Sequence, residues 1–138
     1  MRTKKTLKRQ RKGAEGTGTG TGKVIVEFME ILNTIKLYHW NTTNYGHHIA
    51  SNELYEKLSA LIDHYIEMMI GDSSPHIRSM PPSMEVILPK TKKELIKRLM
   101  RHIHFLNDLE KDANRALRTV QDEMLECIQQ FIYLASMD

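Results

Sequence analysis

Apolar side chains recur at helical spacing along most of this chain. Phe28, Ile31, Leu32, Ile35 and Tyr38 form one stripe, with Glu27, Glu30 and Thr34 on the polar side. That spacing predicts a helix over about residues 23–40. His39 lies on the stripe of Phe28, Leu32 and Ile35 and should point inward. Asn41 to Gly46, rich in Asn and Thr, reads as a turn. A second helix is predicted over about residues 47–70, with Leu54, Leu58, Leu61, Tyr65 and Met68 on its core face. His48, Asn52, Asp63 and Glu67 fall on the opposite side. Ile49, Ile66 and Ile70 share that side at 100° per residue, which reads as a subunit interface rather than a solvated face.

Residues 71–90 contain all four prolines together with Ser73 and Ser74. They read as a long crossover, with one short helical turn near Met84–Leu88. From Thr91 onward the pattern is helical and free of Gly and Pro. One helix of 48 residues would span about 70 Å, too long for a small domain. A turn at Lys111–Asn114, capped by Asp112 or Asn114, divides it into helices over about 91–110 and 114–136. The expectation is all-α: a four-helix bundle over residues 23–138, with two short turns and one long crossover between the second and third helices.

Composition adds a charge asymmetry. The 138 residues carry a net charge of +3. Seven basic residues (Arg2, Lys4, Lys5, Lys8, Arg9, Arg11 and Lys12) precede the first acid, and the 13 basic and 17 acidic side chains that remain give the body −4. Gly16 to Gly22 alternates Gly and Thr, so residues 1–22 read as a disordered basic arm on a flexible linker. Such an arm would bind the phosphates of DNA or RNA without sequence preference and with strong salt dependence. A nuclear-import signal, or an arm that docks on an acidic protein, are the bland readings. No apolar run is long enough to span a membrane. The basic start lacks the apolar stretch of a secretory signal. Cys127 is the only cysteine, so no disulfide forms within the chain. The expected location is cytoplasmic or nucleoid-associated, with nucleus or virion left open.

His39, His48, Asn52, Asp63 and Glu67 are the candidate metal ligands, since imidazole and carboxylate together suit a transition metal such as iron. On one helix His48 pairs with Asn52, and Asp63 with Glu67, four residues apart. The 11 residues from Asn52 to Asp63 cover about 16 Å. Neither pair reaches the other's metal within one chain. A second copy packed antiparallel across a two-fold axis would bring them together, so the spacing suggests a site shared between subunits.

With these residues placed, the chain resembles the Dps miniferritins, the DNA-protecting branch of the ferritin-like superfamily. Tyr38-His39-Trp40-Asn41 is similar to the family's His-Trp-Asn at the end of the first helix. Leu54-Tyr55-Glu56-Lys57-Leu58 resembles its mid-helix segment, and Ile62-Asp63 followed by Glu67 its Asp-x-x-x-Glu. Asp112 to Leu134 looks like its last helix. The similarity is good over residues 24–71 and weak over 91–138. It implies a ferritin-like bundle, a homo-oligomer (a dodecamer of two-fold dimers) and Fe(II) oxidation at inter-subunit sites. His39 and His48 would come from one subunit, and Asp63 and Glu67 from its mate. Asn52 stands where the family usually has an aspartate, and the span from His39 to His48 is about three residues short. An ungapped alignment from His39 would put Ser51, Tyr55, Ile66 and Ile70 at the remaining ligand positions. The gapped one aligns both Leu-Tyr-Glu and Asp-x-x-x-Glu.

Each signal has a bland counterpart. His39 could be a core histidine, and Asp63 and Glu67 a solvated face. His48 could merely start its helix, with His47 as the alternative ligand. His64, His102 and His104 read as surface or interface residues, and Trp40 as a ring buried at the helix end. Glu-x-x-His, the classical ferritin motif, is missing from the second and fourth helices, which argues against an iron site within one bundle. The rival to an iron-oxidising shell protein is a structural or nucleic-acid-packaging protein, possibly viral, that has lost ferroxidase activity. A lone bundle serving as a protein-interaction module is a third reading.

Overall fold

The structure, a computed structural model, describes residues 2–73, 77–111 and 113–137, with side chains for all of these except 2–19, 73 and 110. Four helices follow one another: α1 (Arg2–Asn41), α2 (Tyr45–Ser73), α3 (Lys92–Glu110) and α4 (Arg115–Ala135). No helix among the described residues is long and apolar enough to cross a membrane.

Helix ends follow local chemistry. The Asn44 side chain accepts from the His47 amide at 3.0 Å and caps α2. Thr91 caps α3 by accepting from the Glu94 amide, and Asn114 caps α4 by accepting from Leu117. The predicted break near Lys111–Asn114 is therefore present, with Asn114 as the cap; Asp112 lies outside the described residues.

Two elements differ from expectation. The helical span of α1 takes in residues 2–22, where the Gly/Thr run suggests a flexible arm. Glycine in a helix costs only about 1 kcal/mol relative to alanine, and one of these glycines has a packing role. A Cβ on Gly22 would lie 2.5 Å from the Ser79 carbonyl oxygen and 3.1 Å from Pro81 Cδ. The crossover thus passes against α1 at Gly22, the one buried glycine among the described residues. The basic side chains of residues 2–12 lie outside the described ones. The second difference is at Met84–Leu88, which forms no helical turn. Its Glu85 amide donates to Glu30 Oε1 on α1 at 3.0 Å instead of entering a helical bond.

Contacts fix the directions of the helices. Asp72 at the end of α2 meets Asn114 at the start of α4, and Lys92 at the start of α3 reaches the Ala135 carbonyl at the end of α4. Arg98 and His102 of α3 face Glu30 and Glu27 of α1 in reverse order. Hence α1 and α4 run one way, α2 and α3 the other, and the crossover returns the chain along α1. Helix α1 packs on α2 and α3, and α4 on the same two. Phe28, Leu58, Leu99 and Ile128 sit in the centre, each fully buried.

Candidate functional site

The turn between α1 and α2 brings His39 and His48 together. Their rings stack with centroids 3.9 Å apart and planes 21° from parallel. His39 Nδ1 lies 2.7 Å from the His48 carbonyl oxygen, and His48 Nδ1 lies 2.9 Å from the His39 carbonyl oxygen. A carbonyl only accepts, so both Nδ1 atoms carry the proton and donate. In the neutral rings each Nε2 then holds the lone pair, the tautomer a metal-binding histidine needs. The Ser51 hydroxyl donates to the His48 carbonyl at 3.2 Å and lies 3.4 Å from His39 Nδ1. The His39 carbonyl belongs to the last turn of α1, where helical acceptors lack partners. The imidazole of His48 supplies one.

The other candidates lie along α2. Asn52 is half-buried, and its amide donates to Glu56 Oε1 at 3.2 Å. Asp63 and Glu67 are exposed. Ile49, on the same face, is 42% exposed, while Ile66 and Ile70 are half-buried. Fifteen residues of helix separate His48 from Asp63, about 22 Å. Among the described residues no three His, Cys, Asp or Glu side chains of one chain converge as a metal site. The His pair is assembled within the chain; the carboxylates stand apart from it. His47, the alternative ligand, is buried, with Nδ1 3.1 Å from the Tyr38 hydroxyl.

Trp40 is a correction: its ring is 68% exposed rather than buried. Trp40 falls about 120° from Phe28 at helical spacing, off the core stripe. Lys36 Nζ stands 5.7 Å from the Trp40 ring centroid and 4.6 Å from that of Tyr55, bridging α1 and α2 by cation–π contact. His64 and His104 are exposed as expected, but His102 is fully buried. It falls on the stripe of Leu95, Leu99 and Leu106, which carries it inward.

His102 belongs to a polar cluster between α1 and α3 that helical periodicity does not reveal. Arg98, only 8% exposed, contacts Glu27 Oε1 at 3.2 Å and Glu30 Oε2 at 3.4 Å. His102 Nδ1 lies 3.6 Å from Glu27 Oε1, an electrostatic contact too long for a good hydrogen bond. Phe28 and Phe105 pack against the imidazole. Burial holds the His102 pKa below the usual histidine value of 6.5, outweighing the pull of Glu27. His102, with Arg98 adding, holds Glu27 below the usual carboxylate value of 4.5 against the effect of burial. Glu30 links this cluster to the crossover through the Glu85 amide. The cluster ties three segments of chain together. On the other side of the bundle a groove of about 390 Å³ lies between α2 and α4, lined by Lys57, Leu61, Glu126 and Cys127 among others.

The fold and site define an all-helical bundle in which each helix packs between two antiparallel neighbours, the parallel pairs lie on the diagonals, and a histidine pair sits at one end. The chain belongs to a family of unknown function, DUF5856, whose pattern matches residues 39–134. That match starts at His39 and leaves the basic segment outside it. No curated protein and no solved structure matches the chain.

Proposed function

We propose that this chain is the subunit of a ferritin-like, Dps-type homo-oligomer that holds nucleic acid through its basic N-terminal segment and oxidises and stores iron at sites shared by two-fold mates. The observation that carries the iron reading is the His39–His48 pair. Both rings are fixed in the Nδ1–H tautomer by carbonyls, so both Nε2 atoms are available to a cation. Asp63 and Glu67 of the mate would complete the site. Carboxylates favour Fe(III) over Fe(II), which would drive electrons toward peroxide or oxygen. Packing the outward face of α2 against its two-fold copy would cover Ile49, Ile66 and Ile70. The nucleic-acid reading rests on charge: seven cations at one end of a chain whose remainder is −4.

The decisive experiment follows Fe(II) oxidation by absorbance in wild type and in His39→Ala and Asp63→Ala proteins. Each variant should be inactive alone. Dissociated and reassembled together they should regain activity, because a mixed pair contains one intact site. A reassembled mixture that stays inactive, while wild type survives the same treatment, overturns the shared site.

A second reading is a packaging protein of the same fold without ferroxidase activity. Asn52 favours it: a neutral amide bonded to Glu56 is a poor ligand for a hard cation. Wild type that never oxidises iron, yet binds nucleic acid, would establish this reading in place of the first.

A further inference from the structure

One face of the bundle joins aliphatic side chains to cations. Between Met84 and Leu88 the chain forms neither helix nor turn, and Met84, Val86, Ile87 and Leu88 are all exposed, Val86 by 66%. This segment is held to the bundle from behind. Pro89 is fully buried, and the Glu85 amide donates to Glu30 Oε1 of α1. The other oxygen of that carboxylate holds Arg98 of α3 at 3.4 Å, so the segment lies beside α3 as well as α1. Its end runs directly into α3, where the Lys90 amide donates to Glu94 Oε2 at 2.7 Å.

Helix α3 brings the cations. Lys93, Lys97 and Arg101 are exposed and follow one another at four-residue steps, about 6 Å apart along one face. Arg98 marks the side of α3 that meets α1. Arg101 falls about 60° from it at helical spacing, so the stripe leans toward the exposed segment. Residues 84–101 hold six cations against two acids, whereas the other residues from 13 to 138 hold seven against 15. Of the two acids, Glu94 is turned onto the Lys90 amide. Glu85 is exposed beside the aliphatic side chains, and its charge is outnumbered by Lys90, Lys93, Lys97 and Arg101.

We infer that this face docks peripherally on an anionic lipid surface. Aliphatic tips beside ammonium and guanidinium groups suit a partner that presents phosphate over hydrocarbon. The side chains of residues 84–88 enter the boundary between headgroups and acyl chains. The stems of Lys93, Lys97 and Arg101 lie along the apolar layer while their charged heads meet lipid phosphates. A nucleic acid offers the phosphates without the hydrocarbon. Its unpaired bases are held by aromatic rings, and residues 84–101 contain none. The acidic surface of a second copy would answer the cations but set the aliphatic side chains against carboxylates. No helix among the described residues is long and apolar enough to cross a membrane, so the contact is peripheral. It uses neither the histidine pair nor the basic N-terminal segment, and stands apart from the proposed function.

The test uses the full chain with Cys127→Ser as background and a polarity-sensitive fluorophore on one introduced cysteine. Val86→Cys places it on the proposed face. Glu123→Cys, exposed on α4 diagonally across the bundle from α1, is the control. The probe is a vesicle of equimolar phosphatidylcholine and phosphatidylglycerol. The label at 86 should shift to the blue and be quenched by brominated acyl chains, while the label at 123 should do neither. Reversing the stripe with Lys93→Glu, Lys97→Glu and Arg101→Glu should weaken the affinity read at 86 at least about tenfold. If that variant folds poorly, Lys97→Gln with Arg101→Gln tests the same charges with a smaller expected loss. The basic N-terminal segment can itself tether the chain to anionic vesicles, so insertion at 86 is the readout. Co-sedimentation with an unshifted label at 86 therefore overturns the inference. So do equal shifts at 86 and 123, or an affinity that neither set of charge variants changes. A label at 86 that responds to an oligonucleotide and not to vesicles makes the face a nucleic-acid surface. One that shifts with protein concentration alone makes it a contact between copies, and either result replaces the lipid reading.

Discussion

His39 and His48 each donate the Nδ1 proton to the other's backbone carbonyl, at 2.7 and 2.9 Å, across stacked rings. The pair closes the α1–α2 turn and fixes both tautomers with one set of bonds. Mutation measures what this clasp contributes to the fold. His48→Ala leaves the His39 carbonyl without its donor and removes the stacked ring. A loss of about 1–3 kcal/mol is expected, from one cap-like bond and its desolvation. His39→Ala should cost a similar amount. Because the two bonds and the stack are shared, the double variant should lose clearly less than the sum. Urea unfolding of the four proteins gives the coupling; strict additivity would mean that the clasp does not act as a unit.

Gly22 and Gly20 separate helix propensity from packing. Both are in α1, but a Cβ at Gly20 meets nothing within 4 Å, whereas one at Gly22 meets the Ser79 carbonyl oxygen at 2.5 Å. Gly20→Ala should raise stability by up to about 1 kcal/mol through propensity alone. Gly22→Ala should lower it by about 1–3 kcal/mol, because backbone must move to admit the methyl group. Thermal unfolding reads both signs. A stabilised Gly22→Ala protein would show that the crossover does not lie against α1 there.

These contrasts show what periodicity can and cannot reveal. The helices from α2 onward fall within a few residues of their apolar stripes, since stripe, cap and proline signals agree there. The start of α1 does not, because Gly and Thr carry a composition signal and no stripe. Trp40 and His102 were legible from their angular positions, but residue type outweighed register: an aromatic suggested burial and a histidine suggested surface. The cluster of Glu27, Glu30, Arg98 and His102 has no such signal. Its members come from two helices 68 to 75 residues apart in sequence, and their pairing is a fact of packing. The Dps resemblance implies that His39 and His48 come from one subunit, but their reciprocal carbonyl bonds depend on the turn's geometry and carry no sequence signal.

His102 and Glu27 predict two acid windows. The folded-state pKa of His102 is depressed, so the unfolded chain binds more protons just below about 6.5. Stability is complete above that pH and falls as pH drops through it, until the folded-state pKa is passed. The slope from one such group is at most about 1.4 kcal/mol per pH unit. Glu27 is also depressed, and its contribution disappears only below about 4.5. Unfolding free energy measured from pH 7.5 to pH 5 should therefore decline in wild type and decline less in His102→Leu. An unchanged slope in that variant would place the proton uptake elsewhere.

Cys127 should be a slow thiol. It is half-buried, donates to the Met124 carbonyl, and burial pushes its pKa up to about 11. The thiolate fraction at pH 7.5 is then on the order of 0.1% or less. Maleimide labelling of the native protein should run at least tenfold slower than labelling in denaturant. Equal rates would show that the α2–α4 seam opens freely.

The basic segment makes the most direct functional prediction. If its seven cations each neutralise one phosphate, the logarithm of affinity for duplex DNA should fall against the logarithm of salt with a slope near about −6. Deleting residues 2–15 spares Gly22 and its contact with the crossover, so the bundle should stay folded while binding disappears. The remaining body is acidic and repels phosphate. Replacing only Lys8, Arg9, Arg11 and Lys12 with alanine should reduce the slope by about four and weaken binding to any duplex sequence alike, since phosphate contacts carry no sequence information. Gel-shift titration at several salt concentrations measures both quantities. Undiminished binding by the deletion variant, at any salt, would move the nucleic-acid surface onto the bundle. A slope that does not change on replacing the four cations would show that they do not meet phosphate.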